Sequence, residues 1–256
     1  MGTAEETTGA RVTLEGVRKT FRTPGGDVEA IAPLDLEVAP GEFVALVGPS
    51  GCGKSTLLRV IAGLERADAG AVRADSGGAI AFVFQDAQLL PWRTVAANVA
   101  LPLELRGVGV DERYAAVRRA LEQVELADAG HRYPAELSGG MRMRASIARA
   151  LVVKPRLLLM DEPFAALDEL TRQRLDERLR ALWASERMTT VFVTHAIYEA
   201  AFLAERAVVM SRRPGRIVHD ARIDLPAERT PALRGEPVFA RACAELLSAL
   251  ERGAWS

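Results

Sequence analysis

Eight consecutive residues, Gly48-Pro49-Ser50-Gly51-Cys52-Gly53-Lys54-Ser55, fit the pattern G-x-x-x-x-G-K-[ST]. Glycines at that spacing let backbone N–H groups turn inward around an anion, and a helix that starts where the loop ends adds its N-terminal dipole. Lys54 would reach the β- and γ-phosphates of a nucleotide, and the Ser55 hydroxyl would ligate Mg²⁺. Composition sharpens the reading. Basic residues are almost all arginine, with lysine only at Lys19, Lys54 and Lys154, so the lysine in this slot is a selective placement.

Further along, Asp161-Glu162 follows an apolar run, Leu157-Leu158-Leu159-Met160, and His195 follows another, Thr190-Val191-Phe192-Val193. Ligands of α/β proteins gather at the C-terminal edge of the sheet, where these residues would emerge. There Asp161 would hold Mg²⁺, Glu162 would polarise the water that attacks the γ-phosphate, and His195 would bond the γ-phosphate or that water. Taken alone, two acids after a strand form a solvated helix cap, and a strand-end histidine needs no function. The phosphate loop is what joins them into one site.

Ser138-Gly139-Gly140 opens a helix: the serine caps it, and two glycines leave its first N–H groups open to an anion. Such a cap on a helical insertion would lie far from the phosphate loop of its own chain. In a head-to-tail dimer each Ser138 cap would close on the γ-phosphate held by the other copy, so that ATP binding joins the subunits and hydrolysis loosens them.

The elements around these residues follow from periodicity. Val12 to Leu14, Ala30-Ile31, Leu34 to Val38 and Phe43 to Val47 read as short strands with turns at Pro24-Gly25-Gly26 and Pro40-Gly41. A helix from Thr56 to Ala62 follows the loop, and Ala79 to Phe84 reads as a buried strand ending at Gln85. From about Ala97 to Ala150 the pattern turns helical, and a long amphipathic helix runs from Thr171 to Glu186. Val208 to Met210 and Arg216 to Val218 flank Arg213-Pro214-Gly215 as an edge hairpin, and Pro237 to Arg252 reads as a terminal helix. Apolar strands alternating with helices predict a parallel sheet covered on both faces.

With 256 residues, 49% of them hydrophobic, the chain can bury a sizeable core. A net charge of −1 gives no overall basic field and argues against nucleic acid as a partner. Cys52 and Cys243 are far apart and without metal-like spacing, which fits a reduced, cytoplasmic compartment. Met1 to Ala10 is polar and acidic, unlike a signal peptide, and no run approaches the ~18 to 20 apolar residues that span a bilayer. Work at a membrane would require another chain to supply the span.

In this order these segments resemble the ATP-binding cassette (ABC) ATPases that power membrane transporters, from about Arg11 to Val218. The resemblance makes Gly48 to Ser55 the Walker A segment, Gln85 the Q-loop, Leu137 to Met141 the signature, Leu157 to Glu162 the Walker B strand, Ala166-Leu167-Asp168 the D-loop and His195 the switch histidine. It implies an α/β phosphate-loop NTPase (RecA-like) core with a mainly parallel sheet and an N-terminal antiparallel β subdomain. An α-helical subdomain would be inserted at about 88–155, within a nucleotide-binding domain at 11–225, followed by a helical tail at 226–256. ATP contacts are implied for Phe21 as the adenine-stacking aromatic, for Gly48, Pro49, Ser50, Gly51, Cys52, Gly53, Lys54, Ser55 and Thr56, and for Gln85. Ser138, Gly139 and Gly140 would act in trans. Ser55, Gln85 and Asp161 would hold Mg²⁺, and Lys54, Glu162 and His195 would carry catalysis.

Leu-Pro-Trp at Leu90 to Trp92, Met141 and Arg213-Pro-Gly-Arg216 resemble the importer branch for nitrate, sulfonates, taurine and related small solutes. In that branch the Gln85–Trp92 region meets an integral membrane permease, a substrate-binding protein completes the importer, and the cassettes work as a homodimer or a pair at the cytoplasmic face of the cell membrane. Met143, Ala196 and Tyr198 depart from the family's usual residues, and none of them is a phosphate contact. Two other readings share parts of the pattern. Soluble cassettes of DNA repair or translation generally carry two cassettes or a long coiled-coil insertion, and phosphate-loop kinases and GTPases should lack the Ser-Gly-Gly cap.

Overall fold

A computed structural model describes residues 9–165 and 167–254. The elements in chain order are β1 (Val12–Thr23), β2 (Gly26–Val38), β3 (Phe43–Val47), α1 (Lys54–Ile61), β4 (Ala69–Ala74), β5 (Ile80–Val83), α2 (Val95–Leu105) and α3 (Val110–Gln123). They continue with α4 (Gly139–Leu151), β6 (Leu157–Asp161), α5 (Glu169–Glu186), β7 (Thr189–Val193), α6 (Ile197–Leu203), β8 (Arg206–Met210), β9 (Ile217–Arg222) and α7 (Pro237–Ala254).

The larger sheet has the order β5-β6-β7-β3-β8-β9. Its first five strands are parallel and β9 closes the edge antiparallel to β8. Strands β3, β6 and β7 are buried at every residue. That is why they read as unbroken apolar runs: a parallel sheet covered on both faces has no wet side. The period of two survives in the packing. Phe43, Ala45 and Val47 belong to the core beneath the helical layer, while Val44 and Leu46 face the core shared with α1 and the smaller sheet.

That smaller sheet has the order β2-β1-β4 and is antiparallel throughout. Here the structure differs from the expected short strands, because β1 and β2 run for 12 and 13 residues. Register shifts after Leu14 and on both sides of Lys19 interrupt the alternation of side chains that marks a strand in sequence. Strand β4, Ala-Gly-Ala-Val-Arg-Ala, has no apolar pattern of its own and exists through its ladder with β1. Helix α6 is only seven residues long and also escapes the sequence reading.

Helices α2, α3 and α4 pack on one another between β5 and β6. At the other end α7 lies on α6, β8 and β9, where the Phe239 ring meets Phe202 edge-on at 6.5 Å. Arg234, just before α7, pairs with Glu177 of α5 at 2.6 Å. Among the described residues no helix is long and apolar enough to cross a membrane.

Candidate active site

Four adjacent strands release the residues singled out by sequence. Gln85 follows β5, Asp161 and Glu162 end β6, His195 follows β7, and the phosphate loop follows β3. Because these strands are parallel neighbours, their C-terminal ends share one edge of the sheet.

Between β3 and α1 the loop is tightly wound. Gly53 caps α1 with φ at +108°, and a Cβ there would come within 2.7 Å of the Ala30 carbonyl oxygen, so both conformation and space demand glycine. Lys54 is buried, and its ammonium donates to the carbonyls of Gly48 and Pro49 at 2.8 and 2.9 Å. On the next residue, the Ser55 hydroxyl donates to Asp161 Oδ1 at 2.7 Å, which ties α1 to the end of β6. Burial pushes the Asp161 carboxyl above the ordinary carboxylate range, and the Ser55 hydrogen bond works against that shift. The Ser55–Asp161 pair, with Gln85 lining the same cavity as Ser55, offers oxygen donors of the kind that suits Mg²⁺, which takes only one or two carboxylates and completes its shell with phosphate and water.

Glu162 sits at φ +46°, in the left-handed region that non-glycine residues rarely adopt. Its amide donates to the Val193 carbonyl at 2.9 Å, so the last rung of the β6–β7 ladder holds the backbone in place. The side chain then meets His195, with Glu162 Oε2 and His195 Nδ1 3.1 Å apart. His195 itself stands on a braced turn. Thr194 Oγ1 accepts from the Ala196 amide at 3.0 Å and donates to the buried Glu199 carboxylate at 2.5 Å, and Glu199 pairs with Arg172.

A cavity of about 470 Å³ opens over the loop. Phe21, Ser50, Gly51, Gly53, Lys54, Ser55, Thr56, Gln85 and Glu162 line it, whereas Asp161 and His195 are not part of its lining and join it through Ser55 and Glu162. A larger groove of about 820 Å³ lies elsewhere, between α3, α5 and the Lys154–Arg156 turn, and includes none of them. Ser138, Gly139 and Gly140 are also absent from the cavity. Ser138 caps α4 by accepting from the Met141 amide at 3.2 Å, and Ser138 and Gly139 are exposed. Of the predicted D-loop, Leu167 and Asp168 are described and Ala166 lies outside the described residues. Asp168 caps α5 by accepting from the Thr171 amide.

Three residues that sequence reasoning did not assign to the site brace the segments that adjoin it. Asn98, fully buried in α2, accepts from the Leu90 amide at 2.7 Å and donates to the carbonyls of Leu90, Arg93 and Thr94. The Leu90-Pro91-Trp92 segment is thereby stapled to α2, with Trp92 72% exposed. Arg149 of α4 donates to the Ala87 and Gln88 carbonyls at 2.9 and 2.8 Å, fixing the stretch that follows Gln85. Arg213 reaches the cavity from the β8–β9 turn. A lone asparagine inside the apolar stretch of α2 was the available signal for Asn98; Arg213 showed only as part of a branch-like motif.

The sequence pattern of the family described as "ABC transporter" matches residues 31–165. Among curated relatives, the aliphatic sulfonates import ATP-binding protein of Ralstonia nicotianae is 50% identical over 84% of this chain and 74% of its own length. The taurine import ATP-binding protein of Chromobacterium violaceum is 44% identical over 92% of this chain and 94% of its own length. Among solved structures, the dimeric structure of a bacterial ABC transporter cassette superposes with a TM-score of 0.78 at 31% identity, over 84% of this chain and all of that one. A post-hydrolysis state of the same cassette, bound to ADP and Pi, gives 0.77. The matched stretch takes in the phosphate loop, Gln85, Ser138 and the Asp161-Glu162 pair, and on these grounds the chain belongs to the ABC transporter family as one of its cassettes.

Proposed function

We propose that this chain is the ATP-hydrolysing, energy-coupling subunit of an importer for small sulfonates, aliphatic sulfonates or taurine, working at the cytoplasmic face of the cell membrane. The observation that carries the activity is the meeting of Ser55 with Asp161 and of Glu162 with His195 at the ends of adjacent strands above Lys54. The solute class is supported by the two import relatives, which align over 74% and 94% of their own lengths.

In this reading the loop amides and Lys54 bind the phosphates of ATP, with Phe21 against the adenine. Ser55, Asp161 and Gln85 would hold Mg²⁺, which would act as a Lewis acid that offsets the negative charge of the phosphates. Glu162 accepts the proton of the attacking water, and His195, 3.1 Å from Glu162, keeps the carboxylate aimed and bonds the γ-phosphate. Ser138, Gly139 and Gly140 of a second cassette complete the site, so the dimer closes on two ATP molecules and opens after hydrolysis. A permease docks at the Gln85–Trp92 segment and passes the movement to a solute delivered by a binding protein.

The test is growth of a strain lacking its own copy of this subunit. Wild-type chain should restore growth on taurine or an alkanesulfonate as sole sulfur source, and Lys54→Ala should not. Growth restored on nitrate as nitrogen source instead, or on neither, would refute the solute assignment.

A further inference from the structure

A loop that turns its N–H groups toward phosphate must keep its carbonyl oxygens away from it, and partners on those oxygens hold them there. Lys54 takes the carbonyls of Gly48 and Pro49, and the Leu57 amide of α1 takes that of Gly53 at 2.8 Å. The Gly51 carbonyl is held from outside the loop. Arg213 Nε and Nη2 both donate to it, at 3.1 and 3.0 Å, from a turn 162 residues further along the chain.

That turn is itself locked to two walls of the cavity. Gly215 donates to the Ala30 carbonyl at 3.0 Å and accepts from the Ala32 amide at 3.1 Å, which joins it to β2. Ser211 Oγ accepts from the Arg216 amide at 3.1 Å and closes the turn on itself. Against the loop the approach is so close that a Cβ on Gly215 would fall 2.2 Å from the Cys52 carbonyl oxygen. Arg213, exposed on one side, lines the same cavity as Phe21 and Lys54.

We propose that Arg213 is a positioning residue for nucleotide binding, which acts through the Gly51 carbonyl to hold the phosphate loop in its anion-binding form. Pro214 and Gly215 belong to the turn that brings the guanidinium there. With its oxygen held by a cation, the Gly51 carbonyl cannot swing toward the phosphates. This inference rests on the reading of Gly48 to Ser55 as the nucleotide site. Since the loop wraps phosphates common to ATP and ADP, the contribution of Arg213 is the same for both.

The full-length chain carrying Arg213→Ala tests this by titration with ATP and with ADP. Losing a charge-assisted hydrogen bond to the loop should weaken both nucleotides by a similar factor, about 5- to 20-fold. KM for ATP should rise with it, kcat and melting temperature should stay near wild type, and Arg213→Lys, which can still donate once, should recover part of the affinity. Unchanged affinity for both nucleotides overturns the proposal. So does a loss confined to ATP, which would place the guanidinium on the γ-phosphate, and so does a joint fall in kcat and melting temperature, which would make the contact one of folding. Lys54→Ala separates the two levels: if it abolishes binding while Arg213→Ala binds normally, only this inference fails, and if it binds normally, the site assignment fails too.

Discussion

Glu162 and His195 follow different strands, yet their side chains meet at 3.1 Å, with Glu162 held at a positive φ by the hydrogen bond from its amide to the Val193 carbonyl. Exchanging the carboxylate for an amide keeps that shape and removes the base. Glu162→Gln should therefore bind ATP as wild type does, lose hydrolysis by a factor of about 100 or more, and accumulate as a dimer with Mg·ATP. Light scattering that finds only monomer under those conditions would count against a site shared between two chains.

Ser138 lies outside the phosphate-loop cavity of its own chain, at the exposed start of α4. Ser138→Arg loses the helix cap, which costs about 1 kcal/mol, and places a long side chain where a second cassette would bring its nucleotide. Affinity of the single chain for ATP should be unaffected and steady-state turnover abolished. A normal rate would remove Ser138 from the mechanism.

Asp176 is buried in α5, and its carboxyl is pushed up to about 8, chiefly by burial and then by the nearby Glu199 carboxylate, against the pull of Arg234 and Arg172. A carboxyl raised in this way binds its proton more tightly in the folded chain than in the unfolded one. Its contribution to stability is complete below the ordinary carboxylate range and is lost as pH climbs toward about 8. Asp176→Asn should flatten that decline and raise the melting temperature at pH 8.5 by roughly 3–6 °C. Calorimetry showing the same pH slope in wild type and variant would contradict it.

Asn98 satisfies the Leu90 amide and three carbonyls from a position with no exposed surface. Asn98→Ala takes the partner from the Leu90 amide and the Arg93 carbonyl, while the Leu90 and Thr94 carbonyls keep the Arg93 and Asn98 amides; at a cost of about 1–3 kcal/mol the variant should melt roughly 3–8 °C lower. Trp92→Ala, at an exposed site, should melt with wild type and lose co-purification with the permease. An Asn98→Ala protein as stable as wild type would show that the staple contributes little.

What the sequence made legible were features that one local rule dictates. Anion binding fixes the residue types of Gly48 to Ser55, and burial on both faces fixes the apolar runs of β3, β6 and β7. Asp161, Glu162 and His195 could be placed because strand ends in a parallel sheet share an edge. Features that depend on a distant partner were not legible. Strand β4 forms only against β1, the bulges around Val17 hide how far β1 extends, and Arg213 reaches the loop through a hydrogen bond that no spacing rule records. Asn98 and Arg149 bind backbone carbonyls, which carry no sequence signature of their own.

Helix α4 carries Ser138 at its entrance and, in its last turn, Arg149 gripping the Ala87 and Gln88 carbonyls. Thirteen residues of α-helix make a rod of about 20 Å. Any displacement of Ser138 that carried the helix with it would reach the Ala87 and Gln88 carbonyls through this one element. The helix is thus a connecting rod between the place where a neighbouring cassette would press and the platform from which Trp92 projects.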